Sequence, residues 1–153
     1  MEDMGKQAKK KALRILEQMD RTESELCLKL KQKGYSEKDT EQAVAYVKSF
    51  GYLDDVRYAE RFVINKQRTK SKQEIYALLS QKGVARDVIQ EAIEKGYIGY
   101  SEIETIQHLF HKKGLSVEKS GAEEKQKFYG YLLRRGFHSE DIRQVLQVSF
   151  RNA

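Results

Sequence analysis

Four basic side chains fall within seven residues near the middle of the chain: Lys66, Arg68, Lys70 and Lys72. They lie where one predicted helix ends and the next begins, so their positive charges concentrate at a corner, here called the basic corner. Phosphates and clustered carboxylates are the groups that such a corner attracts, and either attraction weakens as salt rises. We predict that the basic corner contacts a polyanionic partner; a solvated loop is the alternative.

Two other basic groups are weaker candidates for partner contact. Arg134 and Arg135 close a predicted helix, where interaction with the helix C-terminus explains them nearly as well. Lys9, Lys10 and Lys11 lie on the predicted first helix, near a chain terminus where fraying is common. We therefore expect the basic corner to matter most and the lysine run to matter least.

The chain offers few residues arranged for catalysis or metal binding. It has no Gly-rich phosphate loop and no nucleophile elbow. Its single cysteine, Cys27, excludes an intrachain disulfide and a cysteine pair for zinc, and it is interpreted as a small core residue. His108 and His111 are three residues apart on a predicted helix, but the spacing implies no third ligand. We expect no enzymatic activity, no cofactor and no metal.

The composition is typical of a folded, helix-rich protein. The 153 residues include no proline, and 39% are hydrophobic while 34% are charged. No apolar run approaches the roughly 20 residues that span a bilayer, and the polar N-terminus lacks the apolar stretch of a secretory signal. These features favour a cytoplasmic protein without membrane contact. The net charge of +6 is spread evenly, which suits a long polyanionic partner or simply solubility.

The stretch from Gly51 to Asp55 is expected to close one helical unit and open the next. Gly51 can adopt the positive φ at which many helices end. Tyr52 and Leu53 follow it and are expected to pack inward. Asp54 can cap the new helix, and Asp55 lies favourably at its positive end. A helix cap explains these two aspartates better than a metal or acid–base role does.

Apolar residues recur at helical spacing through the whole chain and predict nine helices. Capping boxes at Thr22–Glu25 and Ser71–Glu74 mark two helix starts. The third unit is expected to start with Ser101-Glu-Ile-Glu104. Ser116–Gly121 is interpreted as the loosest loop. The last helix is expected to run from Ser139 and to reach as far as Phe150.

The nine tyrosines and six phenylalanines are assigned mostly to the core. Helical spacing predicts that Phe50 and Val56 face inward. An apolar residue follows each of five helix-ending glycines and is also expected to pack inward: Tyr35, Tyr52, Val84, Tyr97 and Phe137. Tyr76, Tyr100 and Tyr129 are expected to be more exposed.

A repeated sequence marks three helix ends: Leu30-Lys-Gln-Lys33-Gly34-Tyr35, Leu79-Ser-Gln-Lys82-Gly83-Val84 and Leu132-Leu-Arg-Arg135-Gly136-Phe137. Each reads leucine, two residues, a base, glycine and an apolar residue, and each base is expected to meet exposed helix carbonyls. The period of about fifty residues is typical of a stacked array. We predict an all-α protein of three tandem three-helix repeats, residues 1–53, 54–98 and 99–153, that form an elongated, curved array.

The central residues resemble a known family. Gly51-Tyr52-Leu53-Asp54-Asp55, followed by Tyr58-Ala59 and Phe62-Val63, is similar to the pattern of the RecX regulatory proteins, and so is Ile75-x-x-x-Leu79-x-x-Lys82-Gly83-Val84. The resemblance extends from Ala12 to Phe150. It implies a bacterial, cytoplasmic protein of three three-helix repeats that lodges in the groove of the RecA–DNA filament. It also implies inhibition of the RecA ATPase and of strand exchange, and several members bind DNA.

The chain departs from the family pattern ahead of the second capping box. Family members often carry glycine and proline there, with a base just before the isoleucine. Here the loop reads Arg68-Thr-Lys70-Ser71-Lys72, and Glu74 precedes Ile75. The carboxylate serves the capping box but removes one base from the surface, which alters the footprint expected for the partner.

Three functions follow as hypotheses. The first is a monomeric RecX-like regulator that binds RecA filaments on single-stranded DNA and inhibits them, modulating recombination, DNA repair and the SOS response. The second is a helical module that binds nucleic acid directly, without specific RecA contact. The third is an adaptor for another acidic protein. The resemblance favours the first, since fold alone does not decide function.

Overall fold

Nine helices and no strand are found in residues 3–147, the part of the chain that the computed structural model describes. The predicted all-α class is confirmed, while Phe150, to which the last helix was expected to extend, lies outside the described residues. In chain order the helices are α1 Met4–Gln18, α2 Glu23–Gln32, α3 Glu37–Ser49, α4 Asp55–Lys66, α5 Lys72–Gln81, α6 Arg86–Gly96, α7 Glu102–Lys112, α8 Ala122–Arg134 and α9 Ser139–Leu146.

The chain divides into two compact units. The first contains residues up to Arg61 together with Leu79–Gln90, and the second contains Phe62–Leu78 together with residues from Glu91 onward. In the first unit α1, α2 and α3 enclose a core of small and branched side chains. Its buried members are Ala8, Ala12, Ile15, Leu26, Leu30, Ala43, Val44, Val47 and Leu53.

The core of the second unit is richer in aromatic side chains. Helices α7, α8 and α9 and the turn between α8 and α9 contribute Ile106, Phe110, Phe128, Tyr129, Leu132, Phe137, Ile142, Val145 and Leu146. On α8 the buried residues are Lys125, Phe128, Tyr129 and Leu132, a stripe at spacings of three and four residues. Tyr129, which was expected to be exposed, is therefore buried, and Arg143 donates a hydrogen bond to its hydroxyl at 3.3 Å.

The predicted burial of three residues is wrong. Phe50, Tyr52 and Val56 are each at least half exposed, whereas Leu53 is buried. Phe50 is the C-cap of α3 and Tyr52 follows Gly51, so the chain is turning away from the helix at both residues. Of the residues at this turn, Leu53 is the one that returns to the core.

The close of the second repeat also differs from the prediction. Gly96 does not end a helix at a positive φ; it is the last residue of α6, and the positive φ falls on Gly99. A Cβ at Gly96 would collide with the side chain of Val63, so the glycine permits close packing of α4 and α6. Tyr97 is half-buried, and Ile98, next to it, is largely exposed.

The capping box at the start of α2 makes long-range contacts in addition to its local ones. Thr22 Oγ1 accepts from the Glu25 N–H at 3.2 Å and donates to the carbonyl of Lys82 at 2.6 Å. The Glu25 carboxylate lies 3.5 Å from the Lys82 ammonium. The N–H of Glu23 donates to the carboxylate of Asp55 at 2.8 Å. The start of α2 is thereby joined to the end of α5 and to the first residue of α4.

The capping box at the start of α5 repeats this arrangement. Ser71 Oγ accepts from the Glu74 N–H at 3.1 Å and donates to the carbonyl of Arg135 at 2.6 Å. Glu74 pairs with the Arg135 guanidinium at 3.0 Å. The N–H of Lys72 donates to the carboxylate of Glu102 at 3.0 Å. The same local cap and the same three long-range contacts therefore recur, one set in each compact unit.

These recurring contacts explain the repeated Leu-x-x-base-Gly sequence. Lys82 and Arg135 were expected to meet the carbonyls of their own helix ends. Instead each pairs with the capping-box carboxylate of the preceding repeat, and the carbonyl of the same residue accepts the buried hydroxyl of that box. The glycine that follows each base, Gly83 or Gly136, lets the end of that helix pack closely against the capping box of the preceding repeat. We call each of the two sets of contacts a repeat joint. The first joint consists of Thr22, Glu23 and Glu25 with Asp55 and Lys82, and the second consists of Ser71, Lys72 and Glu74 with Glu102 and Arg135.

Gly83 and Gly136 directly follow the bases of the two repeat joints, Lys82 and Arg135. Replacement of either glycine by alanine is expected to be more costly than the same change at Gly34. All three have positive φ, a conformation that costs an L-residue about 1–2 kcal/mol. A Cβ at Gly83 or Gly136 would in addition collide with the side chain of Ser24 or Gln73, whereas nothing lies within 4 Å at Gly34. Urea unfolding of the three variants tests this, and equal losses would show that the glycines serve only the backbone.

Candidate partner-binding surface

The basic corner lies in the second unit, between α4 and α5. Arg68 and Lys72 are exposed, and Lys66 and Lys70 are half-buried. The Lys66 ammonium lies 5.8 Å from the ring centre of Phe62, and that of Lys72 lies 4.8 Å from the ring centre of Tyr97. Among the described residues none of the four pairs with a carboxylate. The nearest carboxylate, that of Glu74, interacts with Lys70 at longer range, so the corner keeps a net positive charge.

The backbone that carries the basic corner is held by several side chains. The carbonyl of Gln67 accepts from the Tyr100 hydroxyl at 3.1 Å and from the Thr105 hydroxyl. The carbonyl of Thr69 accepts from the Arg135 guanidinium. A segment anchored in this way loses little freedom when it binds, so the four charges are presented from a fixed frame.

Arg134 and Arg135 have different surroundings although they are neighbours. The Arg134 side chain is exposed. Arg135 is only 17% exposed at its side chain, and its guanidinium contacts the Glu74 carboxylate, the Thr69 carbonyl and the Tyr131 hydroxyl. The structure thus brings Arg135 to the basic corner but gives it an intramolecular partner. Contact of either arginine with another molecule stays a prediction.

At the Gly51–Asp55 junction the two aspartates serve different helices. Gly51 has φ of +75°, and the Asp54 carboxylate accepts from the Arg57 N–H at 3.1 Å at the start of α4. Asp55 instead accepts from the Glu23 N–H of α2. Burial raises the pKa of Asp55, and the nearby Glu23 charge adds to this, while the hydrogen bond from Glu23 opposes it. Asp55 belongs to a repeat joint, a role that its position in the sequence did not reveal.

The lysine run on α1 adjoins an aromatic surface that sequence reasoning missed. Lys9 and Lys11 are half-buried and Lys10 is exposed. The Lys9 ammonium lies 5.0 Å from the ring centre of Tyr46. Phe50 lies edge-on to Tyr46 at 5.1 Å and stacks on Tyr52 at 5.8 Å. These three rings, which we call the aromatic row, border a surface cavity of about 860 Å³ in the first unit. Its lining also includes two bases, Arg57 and Arg61, and two carboxylates, those of Glu17 and Asp20.

The remaining candidates for chemistry have little support in the structure. Burial and the charge of Glu23 raise the pKa of the Cys27 thiol, which disfavours the reactive thiolate. His108 and His111 lie on α7, one half-buried and the other exposed. Within residues 3–147 no group of three His, Cys, Asp or Glu side chains is placed to hold a metal ion. No helix in that part of the chain has the length and apolar content to span a bilayer.

Family models match the chain in three successive segments. They are described as the first, second and third three-helix domains of RecX, and they match residues 8–46, 54–93 and 100–146 respectively. Together with the nine helices of the described residues, these matches define an all-α protein of tandem three-helix repeats. The predicted repeat architecture is confirmed; the curvature of the array and the limits set at 53 and 98 stay predictions.

Relatives of known name agree with these matches. The regulatory protein RecX of Caldanaerobacter subterraneus subsp. tengcongensis is 36% identical over 146 residues, which cover 95% of this chain and 72% of the relative. That of Trichlorobacter lovleyi is 31% identical and covers 89% of this chain and 91% of its own length. The chain belongs to the RecX family of regulatory proteins.

A solved structure shows the same fold. The crystal structure of RecX from Lactobacillus salivarius superposes with a TM-score of 0.73 at 22% sequence identity and covers 94% of each chain. At that identity the likeness bears on the fold alone. It supports the helix order described above and leaves the binding surfaces to be argued from this chain's own residues.

Proposed function

We propose that this protein binds the RecA filament on single-stranded DNA and inhibits its ATPase and strand-exchange activities. In this role it would act as a cytoplasmic monomer that modulates recombination, DNA repair and the SOS response. Membership of the RecX family of regulatory proteins carries the proposal. The basic corner adds a physical route, because a filament of protein and DNA offers many carboxylates and phosphates to four unpaired bases on an anchored segment.

Inhibition follows from binding if contacts extend over more than one filament subunit. Tandem repeats present several moderate contacts, and linked contacts raise the overall affinity far above that of any single one. A protein that binds one filament geometry more tightly than others stabilises it and opposes the changes that hydrolysis and strand exchange require. No enzymatic step is needed for this effect, so the protein acts as a regulator by binding.

The test is the single-strand-dependent ATPase rate of RecA at rising concentrations of this protein, with DNA in excess. We expect strong inhibition well below one molecule per RecA subunit, because one bound regulator would restrain several subunits. An unchanged ATPase rate at saturating concentration would reject the proposal. Strand exchange measured in parallel should fall over the same concentration range.

The aromatic row favours a second candidate function, direct binding of single-stranded nucleic acid. Exposed rings beside Lys9, Arg57 and Arg61 combine base stacking with charge, as single-strand-binding surfaces do. Inhibition would then come from competition for the strand and would disappear as DNA is added. Tight binding to an oligonucleotide without RecA, lost on Phe50→Ala and Tyr52→Ala substitution, would favour this function over filament binding.

A further inference from the structure

A second cavity, of about 860 Å³, lies in the second unit between α7, α8 and the segment that joins them. Three apolar side chains form its floor: Leu109, Leu115 and Phe128. Phe128 is buried in the core, whereas the two leucines are half-buried and reach the surface. We call this cavity the α7–α8 groove. Its floor is apolar and is open to solvent mainly at the two leucines.

The rim of the groove is positively charged. Lys112, Lys113 and Lys127 line it and are exposed, and Glu124 is the one carboxylate among the lining residues of the described chain. Lys112 and Lys113 form no ion pair among the described residues. Lys127 pairs with Glu123 at 3.7 Å, but both side chains are more than three-quarters exposed, so this pair restrains the lysine little.

The segment that joins α7 and α8 contributes Leu115 to the groove and is held by hydrogen bonds. The segment that follows Leu115 was interpreted as the loosest loop, yet it is closely tied. The buried Lys125 ammonium donates to the carbonyl of Val117 at 2.6 Å. The Ser116 N–H donates to the Ser120 hydroxyl oxygen, and the Ser120 N–H donates to the Ser116 carbonyl. Because this segment is anchored, Leu115 is held beside the groove before a ligand arrives, which lowers the entropic cost of binding.

We propose that the α7–α8 groove binds a short acidic segment of a partner protein that carries a large apolar side chain. The apolar floor takes the anchor side chain, which gains the free energy of leaving water. The lysine rim takes the acidic flanks and steers the segment into place. Both features are needed together, and their combination is typical of grooves that recognise amphipathic peptides.

The groove suits a peptide better than a nucleic acid. Its floor offers no hydrogen-bond donors for phosphates. The one exposed ring at its edge, Tyr131, already stacks on Phe128 at 5.8 Å and lies 5.4 Å from the Arg135 guanidinium. Those contacts leave less of the faces of the Tyr131 ring for a stacked base.

This inference goes beyond the proposed function and stands whether or not the protein inhibits RecA. Thr69, which lies between Arg68 and Lys70 of the basic corner, lines the groove together with Arg135, but the three rim lysines lie outside the corner. A docked acidic segment could therefore belong to RecA or to another protein. The chemistry that recognises it is the same.

The test uses a fluorescein-labelled synthetic peptide in which glutamates alternate with leucine and phenylalanine, titrated with the full-length protein and followed by fluorescence anisotropy. Replacing its apolar residues by serine, or its glutamates by glutamine, should each weaken binding by about tenfold or more, since each removes one of the two required features. The two altered peptides need no change to the protein, so they test the groove without risk of misfolding.

A pair of charge-reversal variants localises the site. Lys112→Glu with Lys113→Glu should weaken binding of the parent peptide by about tenfold or more, whereas Lys31→Glu with Lys33→Glu, an exposed pair in the first unit, should change it less than about twofold. The proposal is overturned if the serine peptide binds as tightly as the parent, or if both lysine pairs matter equally. It is also overturned if a single-stranded oligonucleotide needs Lys112 and Lys113 while the peptide does not bind.

Discussion

Replacement of Arg135 by alanine is expected to lower the free energy of unfolding by about 3 kcal/mol. The same replacement at Arg134 should lower it by less than about 0.5 kcal/mol. The two residues are adjacent and have the same chemistry, so the comparison isolates their surroundings. Urea unfolding followed by circular dichroism measures both variants against the unchanged protein.

The large loss at Arg135 follows from the number of partners that it would leave. Its guanidinium donates to both carboxylate oxygens of Glu74, to the Thr69 carbonyl and to the Tyr131 hydroxyl. With Arg135 truncated, a largely buried carboxylate and a loop carbonyl lose donors, and an unpaired buried polar group costs about 1–3 kcal/mol. Arg134 is exposed, and no such partner is left behind at that position.

The dependence on pH gives an independent check on the Arg135–Glu74 pair. Burial opposes ionisation of Glu74, but hydrogen bonds from Arg135 and the Ser71 N–H, with the Arg135 charge, outweigh it and lower the pKa of Glu74. A carboxyl whose pKa is lower in the folded state stabilises the protein above its unfolded pKa, about 4.3, and loses this contribution as pH falls through its folded pKa. The difference between the unchanged protein and Arg135→Ala should therefore shrink in acid.

Two outcomes would contradict this account of the second repeat joint. One is an equal loss of stability at Arg134 and Arg135. The other is a difference that stays constant from neutral to acidic pH. A double-mutant cycle with Glu74→Gln completes the test, because a direct contact predicts that the two substitutions together cost less than their sum.

The sequence predicted the local features of the fold well. Capping boxes at Thr22 and Ser71 and positive φ at Gly34, Gly83 and Gly136 depend on a few neighbouring residues, so their pattern is readable without a structure. The repeat period followed from the same features. What the sequence could not show is which repeat a given residue contacts, because that depends on how helices far apart in the chain are packed.

The misassigned residues illustrate this limit. Helical spacing alone put Phe50 inside, but Phe50 is where α3 ends, and periodicity carries no information beyond a helix end. Tyr129 and Tyr131 differ by two positions on α8, and only the packing of the neighbouring helices decides which one is buried. Asp55 and Glu102 could be recognised as acidic residues at helix starts, yet their binding to another helix start could not.

The candidate surfaces were predicted to different extents for the same reason. The basic corner is contiguous in sequence, so its charge density was visible at once. The α7–α8 groove combines Lys112 and Lys113, at the C-terminal end of α7, with Lys127 of α8, over a floor that spans both helices. The aromatic row was hidden because two of its rings had been assigned to the core. A surface assembled from separate helices corresponds to no contiguous motif in the sequence.

Substitution of all four corner residues by alanine is expected to weaken inhibition of RecA severely. The variant is Lys66→Ala, Arg68→Ala, Lys70→Ala and Lys72→Ala. If each charge contributes about 0.5–1 kcal/mol, the loss is about 2–4 kcal/mol, a factor of roughly 30 to 1,000 in the concentration that half-inhibits the ATPase. Lys66 and Lys72 also lie on aromatic rings, so unfolding is measured in parallel to confirm that the variant remains folded.

A control with the same change of charge distinguishes a binding site from a general electrostatic effect. Alanine at Lys29, Lys31, Lys33 and Lys38 likewise lowers the net charge from +6 to +2, but these lysines are spread over α2, its C-terminal turn and the start of α3, in the first unit. If net charge alone drew the protein to the filament, both quadruple variants would weaken inhibition equally. A specific corner predicts a large effect for its own variant and a small one for the control.

The salt dependence of DNA binding then identifies what the corner touches. Each phosphate of a single strand that is neutralised adds about 0.7 to the slope of log affinity against log salt, so four direct phosphate contacts would make the slope of the unchanged protein steeper by about 3 than that of the corner variant. Contacts with RecA carboxylates would leave the slope for free DNA the same in both. If inhibition is weakened while the salt slope for free DNA is unchanged, the corner does not contact phosphates. The anionic groups that it contacts in the filament are then the carboxylates of RecA.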